Sequence, residues 1–211
     1  MKRVYDLSHL LSDCTPVYPG DKAPEFSLNE DLLKSNIFVT NININTHLGT
    51  HLDCPSHLGD KKVFASDINL ENCIGRAIVL DTRNHISNNQ IQRSILTEKH
   101  FDYEFILFYT GHDTFWGNEE YFYNAPYLSN ELVVDIEKSK VKGIGIDCAN
   151  VDEINNLNFT NHHLLLSSGK IIVENLTNMK NLIGKEFTFM ALPLKIKYGD
   201  GSPIRAIAII D

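Results

Sequence analysis

The chain has 211 residues, 43% of them apolar, enough to bury a full core in one domain. Its formal net charge is −8, with 19 Lys and Arg against 27 Asp and Glu, and no basic cluster stands out; this argues against a nucleic-acid partner, because phosphate binding needs grouped Lys and Arg. No apolar run reaches transmembrane length, and MKRVYDLSHLL lacks both the apolar run and the cleavage site of a signal peptide, so no membrane association and a cytoplasmic location are expected.

Taken along the chain, strands are expected at Ile37 to Thr46, Arg76 to Thr82, Phe105 to Thr110, Gly143 to Ile146, Ile171 to Val173, Phe187 to Leu192 and Ile204 to Ile209. Each is rich in β-branched or aromatic residues and is bounded by Gly, Pro or Asn. Helices are expected at Asn89 to Lys99 and at Ser129 to Val141, where Ser129 can cap the first turn and Leu132 and Ile136 begin an apolar stripe. A short helix over Asn161 to Ser168 would end at Gly169. The glycine pairs Gly143/Gly145 and Gly199/Gly201 read as strand-entry and turn glycines. Neither a regular βαβα rhythm nor a GxGxxG or GxxxxGK[ST] loop is present. The pattern predicts a single α/β domain over residues 1–211 with few helices and a predominant sheet. Cys14, Cys54, Cys73 and Cys148 are far apart and unpaired in sequence, which disfavours a disulfide framework or a thiolate zinc site; Cys54 is expected to be a buried thiol.

The segment NININTHLGTHLDCPSH, residues 41–57, carries the chemistry. Read as extended chain, it puts Asn43, Asn45, His47, His51 and Asp53 on one side and Ile42, Ile44, Leu48, Leu52 and Cys54 on the other. Two imidazoles and a carboxylate then share a face, and Pro55 ends the strand so that His57 can fold back over it. A helix accommodates these residues less well, because Asp53 would point away and Gly49 and Thr50 weaken it. Imidazole and carboxylate together are ligands that zinc and similar divalent ions prefer. Asn45 and Thr50 are candidates to orient the imidazoles.

His47-x-Gly49-Thr50-His51-x-Asp53-x-Pro55-x-His57 matches the HxGTHxDxPxH signature at every fixed position, and on it the chain resembles the cyclase-type metal-dependent hydrolases, which include bacterial kynurenine formamidases (arylformamidases) and isatin hydrolases. The likeness extends through DLSHLLSDCTPVYPGD, YTGHDTFWG, GIDCANVD and LPLKIKYGDGSPIRAIAI, and through a later HxxLL, Gly and carboxylate pattern met by His162, Gly169 and Glu174. The spacing aligns His162, rather than the adjacent His163, with the family's ligand. The resemblance implies that His47, His51 and Asp53 bind one metal, that Asp53 and Glu174 reach a second which His162 completes, and that His57 is the acid/base. It implies one or two ions, zinc first and manganese as the alternative. It also implies a swivelling β/β/α-type fold with a barrel-like mixed sheet, and a homodimer or homotetramer.

The expected chemistry is hydrolysis of the linear formyl amide of an aromatic amine, N-formyl-L-kynurenine to L-kynurenine and formate in tryptophan catabolism, by metal-activated water with His57 moving the proton. Tyr18, Phe115 and Trp116 are candidates to stack on the aromatic ring. Tyr18 stands where kynurenine formamidases commonly carry Trp, which keeps ring opening of an isatin-like cyclic amide or lactone as the alternative. A third reading, a module that binds metal or a small ligand without turnover, is opposed by the acid/base histidine beside the ligands. Ser8-His9 and Ser56-His57 lack a GxSxG elbow and do not make a serine hydrolase. His85 and His100 read as solvated, and His112 as a loop residue.

Overall fold

The structure, a computed structural model, describes residues 2–58 and 62–210. Its elements are β1 (Arg3–Asp6), β2 (Glu25–Leu28), α1 (Glu30–Leu33), β3 (Thr40–Asn43), β4 (His51–Asp53), β5 (Ile74–Asp81), β6 (Ile86–Ser87), β7 (Gln90–Ile91), β8 (Phe105–Tyr109), β9 (Tyr127–Leu128), α2 (Asn130–Glu137), β10 (Gly143–Ile146), α3 (Thr160–Ser167), β11 (Ile171–Glu174), β12 (Glu186–Met190), β13 (Gly201–Pro203) and β14 (Ile207–Ile210). Nine strands form a curled half-barrel in the order β1-β14-β12-β5-β8-β10-β11-β4-β13. The four central strands β5, β8, β10 and β11 run parallel, and the flanking pairs are antiparallel. The α/β reading with a mixed, barrel-like sheet and few helices therefore holds.

Both faces of the sheet are covered, so its middle strands are apolar throughout rather than alternating with polar residues. Phe105, Leu107 and Tyr109 of β8 pack inside the curl with Leu52, Val79 and Phe189, whereas Ile106 and Phe108 turn to the opposite face, where Ile144, Ile172 and the helices lie. Phe105 and Phe108 are fully buried, and truncating either to Ala would cost about 3–5 kcal/mol. Gly143 opens β10, as expected, and Gly145 lies inside it. A Cβ on Gly143 would sit 2.6 Å from the Ile171 carbonyl oxygen, so these glycines allow close strand contact.

The helix α2 starts as expected, with the Ser129 hydroxyl accepting from the Leu132 N–H. α3 presents His162, Leu165 and Leu166 to the sheet and is followed by Gly169 at φ +86°. The helix expected at Asn89 to Lys99 does not form. Asn88 and Asn89 both adopt positive φ, +50° and +61°, making a tight hairpin between β6 and β7, and short 3₁₀ turns follow at Arg93–Ile95 and Glu98–Asp102. His100 is buried in the second turn, its Nδ1 accepting from the Thr97 N–H, so it is not solvated. His112 is also buried, with Nε2 on the Tyr121 carbonyl.

The strand expected at Ile37 to Thr46 is limited to β3, which pairs with β2 in a separate ribbon; Ile42 within it and Phe38 just before it are exposed. Residues 41–57 are therefore not one strand. The chain leaves the ribbon, turns through residues 46–50 and re-enters the main sheet at His51. Gly49 makes that turn at φ +65°, and a side chain on it would run into Leu11. Among the described residues, no helix is long and apolar enough to cross a membrane.

Candidate metal centre

In the antiparallel register of β4 with β11, His51 lies opposite Glu174 and Asp53 opposite Ile172. Cross-strand neighbours on one face adjoin, so the imidazole and the two carboxylates meet at the C-terminal end of β11 on the helix-covered face. His162 arrives from α3 above them. Its Nε2 lies 3.4 Å from Glu174 Oε1 and 3.5 Å from Asp53 Oδ2, and His51 Nε2 lies 3.3 Å from Asp53 Oδ1 and 3.5 Å from Glu174 Oε2. All four residues are buried. His163 is exposed on the outer side of α3, which agrees with the choice of His162.

The other ring nitrogens are anchored from behind. His51 Nδ1 donates to the Gly49 carbonyl at 2.9 Å, and His162 Nδ1 donates to Asp152 Oδ2 at 2.8 Å. These contacts turn both Nε2 atoms toward Asp53 and Glu174, the arrangement that metal-ligating histidines require. Asp152 also accepts from the Asn161 and His162 N–H groups, so one carboxylate caps α3 and orients its histidine. Asn175, at φ +56°, accepts from the Tyr121 hydroxyl and donates to the Gly49 carbonyl, tying the turn before β4 to the end of β11.

His47 and His57 form an upper tier. They come from the turns on either side of β4, and their side chains are 21% and 25% exposed. His47 Nδ1 lies 2.8 Å from Asp53 Oδ1 and its Nε2 3.0 Å from Asp200 Oδ2, which also takes His57 Nδ1 at 3.0 Å. The two rings lie 4.0 Å apart. Burial opposes a charge on His47, but the hydrogen bonds to Asp200 and Asp53 prevail and push its pKa up to about 10. His162 is likewise driven well above the ordinary histidine range: burial opposes this, and Asp152, Asp53 and Glu174 outweigh it. Burial raises the Asp53 carboxyl, yet the imidazoles around it hold it well below its usual range.

Among the described residues, donor atoms converge in two groups, His51 with Asp53 and Glu174, and His47 with Asp53 and His57. Asp53 belongs to both, as the sequence reading implied, but His51 falls with Glu174 rather than with His47, and His57 comes within ligand range. The donor chemistry of the lower group fits a divalent ion, and Asp53 Oδ2, which meets His162 Nε2 only at 3.5 Å, bears on this. Asp53 Oδ2 is buried without a hydrogen-bond partner, and such an orphaned carboxylate oxygen is costly unless a cation or donor meets it.

The site opens into a cavity of about 230 Å³. Tyr18 and Trp116 line it, as expected, together with Phe122 and Phe159, which sequence reasoning missed. Phe115 does not; it is 40% exposed and its ring lies 5.2 Å from His112, because the 3₁₀ turn His112–Phe115 aims it away from the cavity. Asn45 is exposed and bonds Asp21 and the His47 backbone, so it orients no imidazole. Thr50 is buried, its hydroxyl donating to the Asn175 carbonyl and accepting from the His9 N–H; it supports the turn. Cys54 is buried within the curl, as expected. Asp152 and Asp200 were missed as well, although both lie in segments that carried the family likeness.

Residues 5–153 match the family described as "Putative cyclase". The chain belongs to the cyclase family. It is 38% identical over 196 residues to an uncharacterized protein of Methanocaldococcus jannaschii, covering 92% of each chain. It is 31% identical over 205 residues to the kynurenine formamidase of Geobacillus thermodenitrificans, covering 95% of this chain and 94% of that one. Among solved structures, an isatin hydrolase bound to the product analogue thioisatinate superposes with a TM-score of 0.88 at 21% identity, covering 99% of this chain and 92% of that one. That solved structure shares the half-barrel fold described above.

Proposed function

We propose that this cyclase-family chain is a metal-dependent hydrolase that cleaves the formyl amide of N-formyl-L-kynurenine, giving L-kynurenine and formate. The observation that carries the reading is a half-buried imidazole, His57, facing the same cavity as the buried cluster His51, Asp53, His162 and Glu174. Full-length kinship to a kynurenine formamidase supports the substrate.

The cluster would hold a divalent ion, with zinc suited to its nitrogen and oxygen donors. When bound, such an ion supplies Lewis acidity, toward water and toward a carbonyl oxygen. The negative charge of Asp53 and Glu174 balances it, while the Gly49 carbonyl and Asp152 keep the two lower imidazoles aimed. His57 takes a proton from the attacking water as its oxygen adds to the formyl carbon, and returns it to the amine nitrogen as the C–N bond breaks. Tyr18, Trp116, Phe122 and Phe159 border the space where an aryl ring would lie.

The test is N-formylkynurenine hydrolysis followed spectroscopically with purified protein, after chelation and again after refilling with zinc or manganese. Loss of turnover on chelation and its return with one metal is expected. Metal uptake with no turnover of N-formylkynurenine would overturn the formamidase reading, and hydrolysis of isatin by the same sample would redirect it to ring opening.

A further inference from the structure

Asp200 stands directly before β13, at the edge of the main sheet, and its carboxylate lies behind the upper tier of imidazoles rather than on the cavity wall. Its place is fixed from several directions. The Asp200 carbonyl accepts from the Cys54 N–H at 2.9 Å, Gly201 pairs with Asp53 in the β4–β13 register, and the Thr46 hydroxyl donates to Asp200 Oδ1 at 2.7 Å. Gly201 completes the cradle: a Cβ there would lie 2.7 Å from His47 Cε1 and would drive that ring off Asp200. The remaining oxygen, Oδ2, is left to meet His57 Nδ1 and His47 Nε2, each at 3.0 Å.

A carboxylate accepts hydrogen bonds and donates none, so the His57 nitrogen facing it must carry the proton. We propose that Asp200 is the positioning residue for His57, holding the Nδ1–H tautomer so that Nε2, on the opposite edge of the ring, is free to accept a proton in the cavity. This rests on the acid/base role of His57 given above. A hydrogen bond on one imidazole nitrogen selects the form available at the other, and a ring held in the wrong tautomer cannot act as base. Asp200 is not among the residues that line the cavity; it acts through His57, and through the same oxygen it steadies His47.

Asp200→Asn decides the matter, because the amide NH2 can donate to Nδ1 and shift the ring proton to Nε2. The full-length, zinc-loaded protein is examined by ¹⁵N NMR of the histidine rings, with N-formylkynurenine kinetics and zinc content measured on the same samples. The expected result is a His57 proton moved from Nδ1 to Nε2, zinc retained, kcat lower by about 10²-fold or more and KM little changed. The double variant with His57→Gln should be no slower than His57→Gln alone. An unshifted His57 tautomer in Asp200→Asn, or a double variant markedly slower than His57→Gln at equal zinc content, would overturn the proposal. The ring signal needs no substrate. Absence of turnover by the wild type therefore counts against the formamidase reading, while an unshifted ring counts against Asp200.

Discussion

The lower and upper tiers of the site use the same residue types in opposite settings. His51, Asp53, His162 and Glu174 are each no more than 4% exposed and sit on β4, α3 and β11, so their geometry is set by strand register and helix packing. His47, His57 and Asp200 sit on turns, with side chains 21%, 25% and 39% exposed. A buried, rigid set of donors suits holding an ion, whose ligands must not shift. A partly exposed imidazole anchored by a carboxylate, as His57 is on Asp200, suits moving protons to and from the cavity. The difference teaches that histidine identity alone assigns no role; burial and the partner on the second nitrogen do.

The comparison can be broken at its shared residue. Asp53→Ala removes the carboxylate common to both donor groups, and bound metal and turnover should disappear together, as read by elemental analysis and kinetics. Full activity in that variant would refute the centre. A smaller effect is expected one layer out. Asp152→Asn keeps an acceptor for the α3 N–H groups but weakens the support of His162, and metal affinity measured by chelator competition should fall by about 10- to 100-fold. An unchanged affinity would mean that packing alone orients the ring.

The smallest effect concerns the outer wall, where His9 stacks on Trp116 with ring centroids 3.9 Å apart. Burial holds His9 neutral and lowers its pKa from 6.5 to about 4, with Asp113 opposing weakly. Above pH 6.5 neither folded nor unfolded chain protonates it. As pH falls from 6.5 toward 4 the unfolded chain takes up the proton first, and stability declines over that window. His9→Phe preserves the stack and removes the titration, so denaturant midpoints at pH 7.5 and pH 5 should differ less in the variant than in the wild type. Equal differences would exclude His9 as a source of acid sensitivity.

What could be read from the sequence followed from local spacing. His51 and Asp53 share a face because they stand two positions apart on a strand; His162 was singled out from His163 by the family's spacing, and in the structure it shares the buried face of its helix with Leu165 and Leu166. The parity argument failed at His47, because Gly49 turns the chain before β4 begins. Asn88 and Asn89 signalled a hairpin where a helix was expected, and their left-handed conformations decided it. Asp200 was out of reach of pattern reasoning. It lies 143 residues from His57 and meets it only because β13 pairs with β4 across the sheet edge.

The division between holding and proton transfer is tested most directly by the metal content of His57→Ala beside its rate, since His57 lies within ligand range of His47 and Asp53. The account predicts a wild-type ratio of metal to protein with kcat for N-formylkynurenine lower by about 10²- to 10⁴-fold. Metal lost in step with activity would make His57 a ligand and contradict the account, and so would an undiminished rate.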